Sequence, residues 1–318
     1  GYELGKKEAK VEEKDIDELI EIVQKKKNAK ITTKAYINMF GNLESIVNAL
    51  FNKDIKERYA TEILYAETQS QAWQYEQKKN FEDAVAKIYN LPKWAWDNKI
   101  IAYLNEKHTY SEYRRKYDKE GNIIKTRNIN RTLTKMDIIQ AYIWSKNDIL
   151  EKRLINQFGE DQLYSMFDEM SLADVQFAEL MMRTAQSYYP MVNKAFIEKY
   201  GLDLPKVSCY FPSTPERGSE VDLYNDYSSK SLGNGFTKSR ASSEILPMDF
   251  HNPVATLYNH IDGVAKFAFM SKNLDEANIR FRNTDLKRAI IDKYGEDAYR
   301  SLTSRSEERR EGKSVDLG

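Results

Sequence analysis

The chain has 318 residues and carries 49 basic and 49 acidic side chains, so its formal net charge at pH 7 is zero. A neutral chain has no overall field that would draw it to nucleic acid or to an anionic membrane, so any such partner must be recognised by a local patch. A single cysteine excludes an internal disulfide. The apolar runs are far shorter than the roughly 20 residues that cross a bilayer, so no membrane partner is expected.

Helical periodicity covers most of the N-terminal half. A charged arm with one short amphipathic helix, capped by Asp15, is predicted over residues 1–32, and a helical subdomain is predicted over residues 33–108. Asn42 is a suitable N-cap for a short helix within that subdomain. The apolar pattern that begins at Asp54 predicts the longest helix of this half.

The sequence pattern changes from helical to alternating after His108. This change predicts a β-hairpin over residues 109–131, with a glycine-containing turn at residues 118–122. A two-stranded hairpin alone is marginal in water, so we expect it to lie against helices. Its basic side chains outnumber its acidic ones, and tyrosines are interleaved with them.

This basic hairpin has two interpretations. Cations beside aromatic rings can follow the phosphates of a nucleic acid. The alternative is a solvated hairpin whose lysines discourage pairing at its edge. The first interpretation predicts a nucleic-acid-binding surface made by Arg114, Arg115, Lys116, Lys125, Arg127 and Arg131.

A second helical subdomain is predicted over residues 132–303, followed by a charged tail over residues 304–318. Capping-box pairs, in which a Ser or Thr is followed three residues later by an acid, mark two of its helix starts. The first of these helices is expected to run without a break to Gly159. Further helices are expected to begin at Asn252, near Asn273 and near Asp285.

One short pattern occurs twice in the chain. An aromatic residue and a glycine, followed by Glu-Asp, end a helix at Gly159 and again at Gly295. A glycine in the left-handed cap position, followed by acidic residues in the next first turn, is a common corner between two helices. We therefore interpret the two copies as helix corners and not as repeats of a solenoid.

Residues 202–252 lack helical periodicity and are rich in proline, glycine and serine. A long irregular segment inside a compact domain is usually either functional or disordered. This segment carries many apolar side chains, which favours an ordered loop that packs across the helices. The sequence as a whole therefore predicts a mainly α, multi-helical protein with one small basic β-hairpin and a long ordered irregular loop.

The loop holds the strongest polar grouping of the sequence. Lys238 and Arg240 follow the flexible backbone around Gly235, and cations beside free amides can hold a phosphate or a carboxylate. The alternative, which we favour, is that Arg240 stabilises the loop by pairing with acidic residues of the loop, such as Glu216.

Cys209 has apolar neighbours in the sequence, which predicts a buried and unactivated thiol.

Histidine and carboxylate residues occur together where the loop leads into the next helix. Asp249, His251 and His260 are the metal-ligand candidates of the sequence. The two histidines are nine residues apart, which does not repeat a helical face as two ligands four residues apart would. We therefore expect no metal, no other cofactor and no catalytic residue.

Several segments occur in a characteristic order. They are FGNLESIVNALF at residues 40–51, the hairpin, RTLTKMDIIQAYI at residues 131–143, SYYPMVNKAFIEKYGLDLPKVSCYFP at residues 187–212, GFTKSR at residues 235–240 and HNPVATLYNHIDGVAKF at residues 251–267. In this order the chain resembles, over roughly residues 33–302, the helical domains embedded in the very large polyvalent proteins of tailed bacteriophages and related mobile elements.

This resemblance implies a non-catalytic structural or carrier module of a virion-associated giant protein, located in the virion or in the bacterial cytoplasm. Its expected partners are other modules of the same large protein or virion components, with nucleic acid as a further candidate. Two alternatives stay open. One is a nucleic-acid-binding helical module that uses the hairpin at residues 110–131, and the other is an enzyme with an anion site in the loop at residues 233–251.

Overall fold

The computed structural model describes residues 13–25, 43–92, 99–117, 123–206, 209–212 and 248–311. Within these residues the protein is mainly helical, with one two-stranded antiparallel sheet, which confirms the predicted fold class. None of the described helices is both long and apolar enough to span a membrane.

The helices of the N-terminal part precede the hairpin. They are α1 (Glu13–Lys25), α2 (Leu43–Leu50), the single turn α3 (Lys53–Ile55), a π-helical turn (Lys56–Thr61), α4 (Glu62–Ile88) and the short α5 (Ile101–Leu104). The hairpin and the C-terminal part follow. They comprise β1 (Lys107–Tyr117), β2 (Ile123–Thr134), α6 (Lys135–Ser145), α7 (Asp148–Phe158), α8 (Glu160–Asp168), α9 (Leu172–Ser187), α10 (Tyr189–Tyr200), α11 (Pro253–Phe281), α12 (Thr284–Tyr294) and α13 (Glu296–Glu311).

The two longest helices, α4 and α11, pack against each other in opposite directions. Lys78 Nζ lies 2.7 Å from Asp262 Oδ1, and the ring centroids of Trp73 and Phe269 are 6.3 Å apart. The C-terminal part of α4 therefore packs against the N-terminal part of α11, and the N-terminal part of α4 packs against the C-terminal part of α11. Because both helices carry apolar side chains along their length, they can support separate cores at their two ends.

Each end of this helix pair contributes to its own hydrophobic core. One core joins the late part of α4 and the early part of α11 to helices α6 to α10 and to the hairpin, through Leu133. The other core joins the opposite ends of the same two helices to α1, α2, α12 and α13. The predicted division of the chain into subdomains stays a prediction, and both cores draw side chains from either side of the hairpin.

Helix starts in the C-terminal part follow the capping signals of the sequence. The Asp137 amide donates to Thr134 Oγ1 at 3.2 Å, and the Thr134 amide donates to Asp137 Oδ2 at 2.7 Å, which completes the predicted capping box of α6. The expectation of one unbroken helix up to Gly159 is wrong. Asn147 accepts a hydrogen bond from the Leu150 amide at 3.3 Å, so α7 has its own N-cap and begins after a short turn.

The expected helix start near Asn273 is also wrong. Helix α11 continues unbroken to Phe281, because the buried stripe of its first half continues through Met270 and Leu274. The next start, near Asp285, is confirmed. The side chain of Asn283 accepts from the Asp285 amide at 2.9 Å, and α12 begins there.

Both aromatic-glycine patterns are corners between helices, as predicted. The amides of Gly159 and Gly295 donate to the carbonyls of Ile155 and Ile291, each at 2.8 Å. Their backbone angles, φ 83° and ψ 151° for Gly159 and φ 91° and ψ 164° for Gly295, are not those of the expected left-handed cap. They lie in an extended region at positive φ that essentially only glycine adopts, so the glycine requirement is stricter than expected.

Most of the predicted ordered loop, including its centre, lies outside the described residues. The described ends of the loop pack into the first core. Phe211 and Met248 are buried there, and the Trp144 indole donates to the carbonyl of Pro212 at 3.4 Å.

The prediction of a buried Cys209 is wrong. Cys209 is exposed in a turn, with φ 50°, because Phe211, two residues further along, takes the core position.

Candidate nucleic-acid interface

Around Ser111 and Arg115 the hairpin is attached to the helices through the outer edge of β1. On the outer edge of β1, the Ser111 amide donates to Gln162 Oε1 at 3.1 Å, and Gln162 Nε2 donates to the Ser111 carbonyl at 2.7 Å. The side chain of Gln162 thereby takes the place of a neighbouring strand. Arg115 Nη1 donates to Asn156 Oδ1 at 2.8 Å and adds a second attachment, to α7. Residues 125–130 of β2 therefore face solvent, whereas the end of this strand at Leu133 is buried in the first core.

A buried carboxylate holds the inner face of the hairpin. Glu112 is fully buried, and its Oε1 atom lies 3.1 Å from Arg114 Nε, 3.1 Å from Arg131 Nη1 and 2.6 Å from Gln157 Nε2. Gln157 is also bonded to Met248 through both backbone groups, at 2.8 and 3.2 Å. A buried charge requires such partners, and here they connect the hairpin, helix α7 and the end of the irregular loop.

Arg131 links this cluster to the residues that follow Met248. Its guanidinium lies 5.2 Å from the centroid of the Phe250 ring, and its Nη2 atom is 3.8 Å from Asp249 Oδ1. Asp249 Oδ2 in turn lies 3.2 Å from His251 Nε2. The amide of His251 donates to the buried Gln140 side chain at 3.1 Å. Arg131 therefore serves the packing of the loop end, and it is not available as an exposed cation.

The structure separates the predicted metal candidates. Asp249 and His251 are adjacent, whereas the ring of His260 lies on α11 between Tyr188 and Tyr210, with centroid distances of 6.3 and 5.5 Å. Burial lowers the pKa of His260 to about 4, although a hydrogen bond with the Ala185 backbone opposes this shift. Among the residues that the structure describes, no group of three or more His, Cys, Asp or Glu is arranged to hold a metal ion.

Strand β2 presents a continuous exposed surface. Every residue from 125 to 130 is exposed, including Lys125 and Arg127. The register places Arg114 opposite Arg127, and it places Lys116 opposite Lys125. The register therefore places like-charged residue types opposite each other at two positions on the same face of the hairpin, and Glu112 is the counter-ion of Arg114 there.

The predicted basic surface thus divides into two parts. Arg115 and Arg131 are held by contacts to helices and to the loop end, and Arg114 is anchored by Glu112 with 31% of its side chain exposed. Lys125 and Arg127 lie on the exposed strand. The predicted anion site made by Lys238, Arg240 and Gly235 lies outside the described residues.

Sequence reasoning missed the burial of Glu112 and the roles of Gln157 and Gln162. Glu112 lies on the same face of β1 as Tyr110 and Arg114, so its sequence position resembles that of any solvated strand residue. The signal that identifies these residues is the position of α7 and α8 beside β1, which is a tertiary property. No local pattern could have revealed it.

A second feature without a sequence signal is a cleft of about 210 Å³ beside the π-helical turn. The guanidinium of Arg280 lies 4.4 Å from the centroid of the Tyr59 ring and 3.3 and 3.6 Å from Glu276 and Asp15. These contacts satisfy the charge of Arg280 internally, as a structural arginine requires. The cleft is lined by Asp15, Arg58, Tyr59, Glu62, Asn273, Glu276, Ala277 and Arg280.

Comparisons with protein-family models, with curated proteins and with solved structures found no match to this chain.

Proposed function

We propose that this chain is a non-catalytic helical module of a phage-type, virion-associated giant protein and that it binds nucleic acid through the exposed strand of its hairpin. The order of sequence segments supports the first part of this proposal. The arrangement of cations on the hairpin supports the second part. The two parts are tested separately, because a carrier module need not touch nucleic acid.

The proposal depends on two cross-strand pairs of basic residues in the hairpin. These pairs are Arg114 with Arg127 and Lys116 with Lys125. Like charges opposite each other destabilise a hairpin; Glu112 offsets the charge of Arg114, and the phosphates of a nucleic acid would offset the exposed charges of Lys125 and Arg127. Protection of the edge against aggregation would need only scattered charge on β2. Basic residues at both positions of two cross-strand pairs exceed that need.

The attachment of the hairpin also suits a binding surface. Gln162 and the Glu112 cluster fix β1 to the helices, whereas residues 125–130 remain exposed. A rigidly held strand loses little conformational freedom when it binds, so more of the contact energy appears as affinity. The hairpin is therefore preorganised for a partner that approaches β2 from solvent.

The test is a titration of a fluorescently labelled nucleic acid with the purified chain at about 50 mM salt, followed by anisotropy. We expect measurable binding that weakens as salt is raised. The double variant Lys125→Gln/Arg127→Gln should weaken binding at least tenfold, because it removes two phosphate contacts. Lys53→Gln/Arg300→Gln is the matched control, since it removes the same charge from exposed helical positions.

Two results would contradict the proposal. One is the absence of binding at low salt, and the other is an equal loss of affinity in the hairpin variant and in the control. The phage assignment has its own test, which is the reading frame that surrounds this segment. Neighbouring modules of a giant virion protein support the assignment, and a short independent gene with no such neighbours contradicts it.

A further inference from the structure

We propose that the nucleic acid is duplex DNA and that the exposed strand β2 lies edge-on in its major groove. This inference rests on the proposed function and specifies its partner. It depends on three features of the hairpin: the chemistry of residues 125–130, the shape of the projecting edge and the division of side chains between its two faces.

The first feature is the chemistry of the exposed strand. Residues 125–130 read Lys-Thr-Arg-Asn-Ile-Asn and contain no aromatic side chain. Single-stranded nucleic acids are bound mainly by stacking of unpaired bases on aromatic rings. Two tyrosines of β1 are used in other contacts: Tyr110 donates to Glu169 Oε2 at 3.0 Å, and Tyr113 lies against the corner at Gly159. The strand therefore lacks a stacking platform and suits a partner whose bases stay paired.

The second feature is the shape of the edge. Because β1 is attached to α7 and α8 along its outer edge, the sheet projects from the helices with β2 as its free rim. A strand with side chains on both faces is roughly 10 Å thick, and the major groove of B-DNA is about 12 Å wide. The major groove of duplex RNA is too narrow to admit it. The rim also presents its open backbone donors and acceptors to the floor of the groove.

The third feature is the division of side chains between the two faces. Lys125, Arg127 and Ile129 alternate with Asn128 and Asn130, so cations and amides lie on opposite faces of the strand. Asparagine can make two hydrogen bonds to the major-groove edge of adenine, arginine can make two to that edge of guanine, and an aliphatic side chain can contact the thymine methyl group. An edge-on strand thus places Lys125 and Arg127 toward the phosphates of one wall, with Ile129 at the end of the same face, and it places Asn128 and Asn130 toward base edges.

Ile129 lies on the face of Lys125 and Arg127, and its exposure gives that face an apolar contact of its own. Its side chain is 39% exposed, although it lies on a strand that is otherwise polar between residues 125 and 130. Exposure of this apolar side chain to water does not stabilise the protein, whereas contact with a thymine methyl group would remove apolar surface from solvent. The surrounding amides and cations supply the polar part of such a contact.

The experiment compares four labelled probes of equal length at one salt concentration: duplex DNA, single-stranded DNA, duplex RNA and single-stranded RNA. We expect duplex DNA to bind at least tenfold more tightly than each of the others. Selection from a randomised duplex pool should then yield a preferred sequence. Asn128→Ser/Asn130→Ser should reduce the preference for that sequence over a scrambled one by roughly five- to hundredfold, without changing the salt dependence.

Asn259→Ser is the control, because Asn259 is an exposed asparagine on helix α11 and not on the hairpin. Salt-dependent binding with no preference for duplex DNA would overturn this inference and leave the proposed function standing. An unchanged sequence preference in the asparagine double variant would overturn the assigned reading face. The absence of binding to all four probes would overturn both the inference and the proposed function.

Discussion

Replacement of Glu112 by glutamine tests whether the buried cluster holds the hairpin in place. The variant keeps the size of the side chain and removes its charge, so two guanidinium groups lose their carboxylate partner. Removing one member of a fully buried ion pair costs about 3–5 kcal/mol. Here Arg114 and Arg131 keep 31% and 20% of their side chains exposed, and solvent screens part of the loss. We therefore expect a destabilisation of about 2–3 kcal/mol, below the fully buried value.

The assay is urea unfolding of the variant, of the parent chain and of a control, Glu57→Gln. Glu57 is an exposed acid that pairs with Lys53 one turn away in a helix, and its loss should cost less than about 0.5 kcal/mol. A double-mutant cycle with Arg131→Gln should give a coupling energy of at least about 1 kcal/mol. A change in Glu112→Gln no larger than in the control would refute the reasoning that this carboxylate anchors the hairpin.

Three further predictions concern local structure. Gly159→Ala should destabilise the chain by about 1–3 kcal/mol, because its φ of 83° excludes a side chain, whereas Gly263→Ala in open helical space should stabilise it by about 0.4–1 kcal/mol. Both changes are measured by urea unfolding. A change of the same sign in the free energy of unfolding of both variants would contradict the account. Asn147→Ala should cost about 1 kcal/mol through the lost cap of α7, and an unchanged midpoint would exclude that role. Burial lowers the pKa of His260 to about 4. As pH falls from about 6.5, the unfolded chain therefore binds a proton at His260 before the folded chain does. The free energy of unfolding should fall by at most about 3 kcal/mol between about pH 6.5 and pH 4. His260→Phe should flatten the unfolding free energy over that pH window, and an unaltered pH dependence would show that His260 is not buried neutral.

Features that depend on a few neighbouring residues could be predicted from the sequence. The capping boxes at Thr134 and Ser171 and the helix end at Gly201 each involve a side chain or a backbone angle within one turn of helix. The alternating pattern after His108 predicted the two-stranded sheet in the same local way. The turn between α6 and α7 also has a local signal, because Asn147 precedes an acidic first turn. The apolar pattern continues on both sides of this turn and predicted one unbroken helix instead.

Features that depend on which elements meet could not be predicted. The burial of Glu112 arises because α7 lies beside β1, and the separate environments of His251 and His260 arise because the first follows the loop and the second faces α9 and α10. The continuation of α11 past Asn273 has the same cause, since packing against α4 overrides the weak local start signal. The division of the hairpin cations into anchored and exposed groups therefore required the tertiary structure.

The most direct test of the proposed nucleic-acid function is the salt dependence of binding to duplex DNA by the parent chain and by Lys125→Gln/Arg127→Gln. The logarithm of the association constant falls with the logarithm of salt concentration, by roughly 0.9 for each phosphate that a cation neutralises. The account predicts that the slope of the double variant is smaller in magnitude by about 2 than that of the parent chain. Identical slopes for the two proteins would show that β2 does not contact phosphates and would contradict the central claim.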